Sequence, residues 1–221
     1  MRAFADLYAD LDASTSIRAK STALQRYFRS APAADAAWAL YFLAGGRPRR
    51  LLPTAVLRSA ALAVSGLPAW LFEECYQSVG DLAETIALLL DDAPSGDPGS
   101  LADWMHDALL PLRGLAPAEQ AARVTALWGQ LDADGRFVFN KLITGGFRVG
   151  VSRQLVLRAL AAAFARDEHT LAQRIIGYTA GDARPDAQAF LALIGEAAEQ
   201  GGAHRLSAAQ PYPFFLAQPL Q

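Results

Sequence analysis

Apolar residues recur along this chain at spacings of three and four, and no strict alternation of apolar and polar positions persists anywhere. Phe4, Leu7, Tyr8 and Leu11 form a first helical stripe. Thr15 or Ser16 starts a second helix, with Ile17, Leu24, Tyr27 and Phe28 predicted to face inward and Pro32 to break it. Trp38, Leu40, Tyr41, Phe42 and Leu43 are dense enough to predict a helix buried on most sides, ended by Gly45 and Gly46. Pro53 suits the first turn of the next helix. The segment from Pro68 to Ser78 carries Trp70, Leu71, Phe72, Cys75 and Tyr76, mostly predicted core. Asp81 is placed to cap a helix holding Ile86, Leu88, Leu89 and Leu90. Further helices are predicted over 101–112, 117–131, 136–143, 152–164, 169–178 and 185–196, with Trp104 and Trp128 packed. The prediction is an all-α protein. The polar run from Asp91 to Ser100 is its clearest loop, and it divides the chain into two helical sub-bundles, one on either side.

Composition agrees with a folded chain: 52% of the 221 residues are hydrophobic and 19% charged. Cys75 is the single cysteine, which excludes an internal disulfide framework and fits a reducing compartment. Charged residues follow Met1 where a signal peptide would have an apolar core, and no apolar run is long enough to span a membrane. The expectation is a cytoplasmic protein with no membrane partner. Lys20 and Lys141 are the only lysines, so the remaining cations are arginines, a balance that also fits a GC-rich coding bias.

The net charge is −2, but the charges are segregated. Residues 13–34 hold no acid, nor do residues 36–72 or 135–166. The last of these contains Arg136, Lys141, Arg148, Arg153, Arg158 and Arg166. Local potential, not total charge, decides whether such a chain attracts an anionic partner.

The last acid-free stretch also holds the most distinctive sequence. Gly145 and Gly146 stop a helix that Phe139, Leu142 and Ile143 face inward, and Ser152 caps the next one. Between them lies a tight loop with Arg148 at its centre and Gly150 near the new helix start. Exposed loop amides and a helix N-terminus make a seat for a phosphate, with an arginine free to reach past it. The plainer reading is a helix C-cap followed by a solvated arginine. A dinucleotide fingerprint is excluded, because no strand precedes the glycines. A second basic turn, Arg47-Pro48-Arg49-Arg50, follows a predicted helix end. Dipole complementation accounts for one of its guanidiniums, whereas three around a proline suit a phosphate clamp.

Residues 142–151, Leu-Ile-Thr-Gly-Gly-Phe-Arg-Val-Gly-Val, resemble the Leu-(Ser/Thr)-Gly-x-(Leu/Phe)-Arg-(Ile/Val)-Gly segment in the N-terminal DNA-binding domain of ATP-dependent DNA ligases. The closer similarity is to the bacterial branch that carries this all-helical domain ahead of its catalytic core. An Arg-Pro-Arg-Arg-like turn and a Gly-Asp-Leu turn, here at Gly80, belong to the same resemblance. So does Pro211-Tyr-Pro-Phe-Phe-Leu-Ala-Gln-Pro-Leu220, which is similar to the connector leading into the catalytic domain. The resemblance implies a helical DNA-binding domain over 1–205 and an extended connector over 206–221. It implies that Arg47, Arg49, Arg50, Gly80, Lys141, Thr144, Gly145, Gly146, Arg148, Gly150, Ser152 and Arg153 contact DNA. The partners implied are nicked double-stranded DNA, gripped at the minor groove, and the catalytic domain of the same ligase. The setting implied is DNA repair, recombination and replication near the bacterial nucleoid.

Ligase chemistry itself needs a Lys-x-Asp-Gly motif for adenylation, and neither lysine matches: Ser-Thr-Ala follows Lys20 and Leu-Ile-Thr follows Lys141. No catalytic residue or cofactor is therefore assigned to this chain; ATP and Mg²⁺ are implied only for the absent nucleotidyltransferase domain. His106, His169 and His204 are isolated from other metal ligands in sequence. The run Asp132-Ala-Asp-Gly135 lacks the remaining calcium ligands and reads as a helix start. Two alternatives stay open: a helical interaction module whose arginines bind an acidic protein, and an enzyme of another kind, for which no residue constellation stands out.

Overall fold

The computed structural model describes residues 1–91, 99–145, 147, 149–179 and 185–195. Gly146, Arg148 and the connector at 206–221 lie outside the described residues. Of the described residues, 72% are helical and none lies in a strand. The helices are α1 (Arg2–Asp12), α2 (Ile17–Ser30), α3 (Ala33–Leu43), α4 (Thr54–Ser65), α5 (Ala69–Val79), α6 (Leu82–Leu89), α7 (Leu101–Asp103), α8 (Pro117–Trp128), α9 (Ala133–Thr144), α10 (Arg153–Phe164), α11 (Glu168–Arg174) and α12 (Ala187–Ile194). The short α7 runs on into a π-helical turn, Trp104–Leu109, and a 3₁₀ turn, Leu110–Leu112. No single described helix is long and apolar enough to cross a membrane.

Local chemistry accounts for the helix starts. Ser16, Asp81, Ser100, Asp132, Ser152, Asp167 and Asp186 each accept a hydrogen bond from the backbone amide three residues on. That bond satisfies one of the donors a helix leaves unpaired in its first turn. Asp132 is thus a cap, as expected of a helix start, and α9 begins at Ala133, three residues before its apolar stripe predicts. Pro32 and Pro53 stand just before α3 and α4.

The packing departs from the expected division at the 91–100 loop. The main interfaces pair α2 with α10, α3 with α12, α4 with α8 and α6 with α9, so each joins an early helix to a late one. Two bundles are traceable, α1–α3 with α10–α12 and α4–α6 with α8 and α9, but each draws on both halves of the chain. They share one continuous core. The long polar loop marks a break in sequence, not in space, because α6 packs chiefly on α9, from the other side of it. At the centre lies α3, buried over every position from Asp35 to Leu43 as its all-round apolar pattern requires. Buried polar bonds tie neighbours to one another: Asp35 Oδ1 accepts from the Ala102 amide at 2.9 Å, and Trp128 Nε1 donates to Asn140 Oδ1 at 2.9 Å.

Two residues expected in the core are on the surface, as is a leucine of α6. Ile17 is 69% exposed, Trp70 68% and Leu88 67%. Ile17 stands at the first position of α2, beyond the turn that packs on α10. Trp70 and Leu88 sit on the outer faces of α5 and α6, whose inward faces are filled by Phe72 and Ile86.

Candidate nucleic-acid interface

Helices α2 and α10 run side by side in the same direction. At one end the Lys20 ammonium donates to the carbonyl oxygens of Val149 at 2.6 Å and Gly150 at 3.3 Å. At the other, the Arg29 guanidinium donates to the Ala163 and Ala162 carbonyls at 3.2 and 3.1 Å, which caps the C-terminus of α10. Two helix N-termini therefore emerge on one side of the molecule, each capped by a serine, Ser16 or Ser152. Neither carries an acid in its first turn, while Arg18 and Arg153 do lie there, both exposed. Their N-terminal dipoles add to one another and favour an anion.

Between α9 and α10 the loop is held down by its apolar residues. The Phe147 ring lies 5.1 Å from Phe42 and 5.9 Å from both Phe4 and Tyr8, centroid to centroid, and Val149 is buried. Arg148 is the residue between these two anchors in the sequence. Thr144 is exposed at the end of α9, and Gly145 closes that helix in the left-handed region at φ 71°, its amide donating to the Lys141 carbonyl at 2.9 Å. Gly150 is also left-handed, at φ 61°. Both positions favour glycine, since a Cβ is strained there.

The Arg47–Arg50 turn, nearly a hundred positions upstream, meets this loop. The Arg47 Cδ methylene lies 3.7 Å from where a Cβ on Gly145 would stand. The side chains of Arg47, Arg49 and Arg50 are exposed and form no ion pair among the described residues. A fourth arginine joins them, one that sequence reasoning passed over: Arg113 is exposed and donates to the Arg49 carbonyl at 2.7 Å. Nothing in its own neighbourhood of the chain marks it, because only the fold brings it to residue 49.

Not every basic residue of the acid-free stretches reaches this surface. Acids absent nearby in sequence are present nearby in space. Arg26 pairs with Asp10, Arg58 with Glu73, and Arg158 with Glu168. Arg136 is 2% exposed and donates to the carbonyls of Leu90 and Asp91 at 2.7 Å, and of Leu131 at 3.2 Å, so it caps the end of α6. Lys141 is 7% exposed, with its ammonium 2.5 Å from Asp81 Oδ2 and over the Phe137 ring. Gly80 ends α5 with its amide given to the Tyr76 carbonyl at 2.8 Å, and the half-exposed Asp81 carboxylate stands next to it. The structure therefore brings Arg47, Arg49, Arg50, Thr144, Gly145, Gly150, Ser152 and Arg153 around one loop. Lys141 and Gly80 lie one helical turn away, next to a carboxylate.

Lys20 had a legible signal. It falls four and seven positions before Leu24 and Tyr27, on the inward stripe of α2. No group of three or more His, Cys, Asp or Glu side chains among the described residues converges to hold a metal ion. Both lysines are engaged within the fold, Lys20 with backbone carbonyls and Lys141 with Asp81. No match was found among curated proteins. The family model for the DNA ligase N terminus matches residues 1–161, from α1 through the arginine turn and the central loop into α10, and the chain belongs to that family, the N-terminal domain of ATP-dependent DNA ligases.

Proposed function

We propose that this domain grips duplex DNA on both sides of a nick, through the sugar–phosphate backbone along the minor groove, and so supports strand joining by a ligase. The observation that carries the reading is the meeting of the Arg47–Arg50 turn with the 144–153 loop beside two acid-free helix N-termini. Unpaired guanidiniums bind phosphates through charge-assisted, often paired, hydrogen bonds. Backbone amides add neutral donors that read phosphate position and not base identity. Arg47, Arg49, Arg50, Arg148 and Arg153 supply the charge, while Thr144, Gly145, Gly146, Gly150 and Ser152 shape the backbone that meets the DNA. Lys141 and Gly80 contribute through the fold, since the Lys141 charge is balanced by Asp81. Adenylation, with ATP and Mg²⁺, belongs to a nucleotidyltransferase domain that acts with this one. A bacterial repair ligase working at the nucleoid is the setting that fits.

The test is a titration of labelled nicked and unbroken duplexes at several salt concentrations. Affinity should fall steeply with salt, by about 0.9 log units per log unit of salt for each phosphate contacted, with little dependence on sequence. Absence of binding at low salt, or binding that ignores salt, would favour an acidic protein partner instead.

A further inference from the structure

Lys20 is a buried cation with no carboxylate beside it among the described residues; its partners are the Val149 and Gly150 carbonyls. A buried charge is costly unless it is compensated, and an apolar residue would continue the inward stripe of Leu24 and Tyr27 at this position. The retained ammonium has a geometric consequence. In a trans peptide the carbonyl and the amide point in opposite directions, and there is no cis bond among the described residues. Carbonyls 149 and 150 turned in toward Lys20 therefore turn the amides of Gly150 and Val151 away from it. Neither amide has a hydrogen-bond acceptor among the described residues. Directly after them in the chain, the first turn of α10 adds amides that the Ser152 side chain leaves free. Gly150 is matched to this arrangement, because a Cβ there would lie 2.7 Å from the Lys20 Nζ.

We propose that Lys20 is the positioning residue of the DNA-binding loop: its ammonium latches two carbonyls so that the Gly150 and Val151 amides face a phosphodiester oxygen, which Lys20 itself never touches. The buried charge also raises the potential under that phosphate. This rests on the nick-binding reading above.

The experiment compares wild type, Lys20→Met, Lys20→Arg, Gly150→Ala and the Lys20→Met/Gly150→Ala pair. Each is measured for thermal midpoint and for affinity to the nicked duplex across a salt series, well below its midpoint. Lys20→Met should bind at least about tenfold more weakly with its salt slope unchanged, since no phosphate contact is deleted. Lys20→Arg should recover much of the loss. The double variant should be no weaker than the weaker single one, because both changes act through one loop. Additive losses, unchanged affinity in Lys20→Met, or a slope smaller by about 0.9 (a direct phosphate contact) would each overturn the latch. Should Lys20→Met fail to fold, Lys20→Gln takes its place; if neither folds, Lys20 serves stability and the proposal falls. A wild-type protein that binds no DNA would instead overturn the nick-binding reading.

Discussion

The Lys141 ammonium lies 2.5 Å from Asp81 Oδ2, and the other oxygen of the same carboxylate accepts the Glu84 amide at 3.0 Å. One aspartate thus caps α6 and ties it to α9, sixty positions away. Lys141→Met should leave a half-exposed carboxylate without its cation and destabilise the protein by about 1–3 kcal/mol. DNA affinity should stay nearly unchanged, because the Lys141 charge is already balanced. Chemical denaturation and duplex titration on the same preparation check both halves. A large affinity loss with unchanged stability would return Lys141 to the DNA surface.

Arg47, Arg49 and Arg50 have the opposite profile. Their exposed side chains form no ion pair among the described residues, so replacing each with alanine should leave the thermal midpoint nearly unchanged. Each true phosphate contact removed should weaken nicked-duplex binding roughly tenfold and reduce the salt slope by about 0.9. Arg113→Ala should act more weakly, through the Arg49 carbonyl that it braces. Salt series on the single variants distinguish the two behaviours.

Arg136 should prove the most sensitive basic residue for folding. It is buried, and Arg136→Met would strip the Leu90, Asp91 and Leu131 carbonyls of a charged donor at once. A loss on the order of 3 kcal/mol or more is expected in urea unfolding. A change within experimental error would mean that solvent replaces the guanidinium at the end of α6.

Alkaline pH should probe the core. Burial pushes the hydroxyls of Tyr8, Tyr27 and Tyr178 well above the ordinary tyrosine value of 10.0, with Asp12 adding to the effect at Tyr8, Asp35 at Tyr27 and Asp186 at Tyr178. The folded state then holds these protons more tightly than the unfolded chain. Their contribution to stability is intact below pH 10.0 and is lost as pH rises above it. In a spectrophotometric titration these tyrosines should ionise together with unfolding, whereas in urea they should titrate normally. Tyr27, whose hydroxyl has no partner among the described residues, should gain stability on change to Phe.

What the sequence determined by itself was local. Helix content, the caps at Asp81, Asp132 and Ser152, the left-handed close at Gly145 and the family-bearing loop all rest on residues within a few positions of one another. Such features are set by backbone sterics and short-range hydrogen bonds, which spacing reveals. Tertiary structure decided which charges are used up and which faces are covered. Arg29 reaches α10 across 134 positions, Lys20 the central loop across 129, and Lys141 its aspartate across 60. Acid-free runs therefore overstated the free positive surface, and the apolar stripes assigned Ile17 and Trp70 to a core that never reaches them. The loop at 91–100 similarly suggested a division that the pairing of α6 with α9 erases. A helix encodes its own apolar stripe, but the partner that covers it, and the charge that meets each guanidinium, are chosen only when distant elements pack.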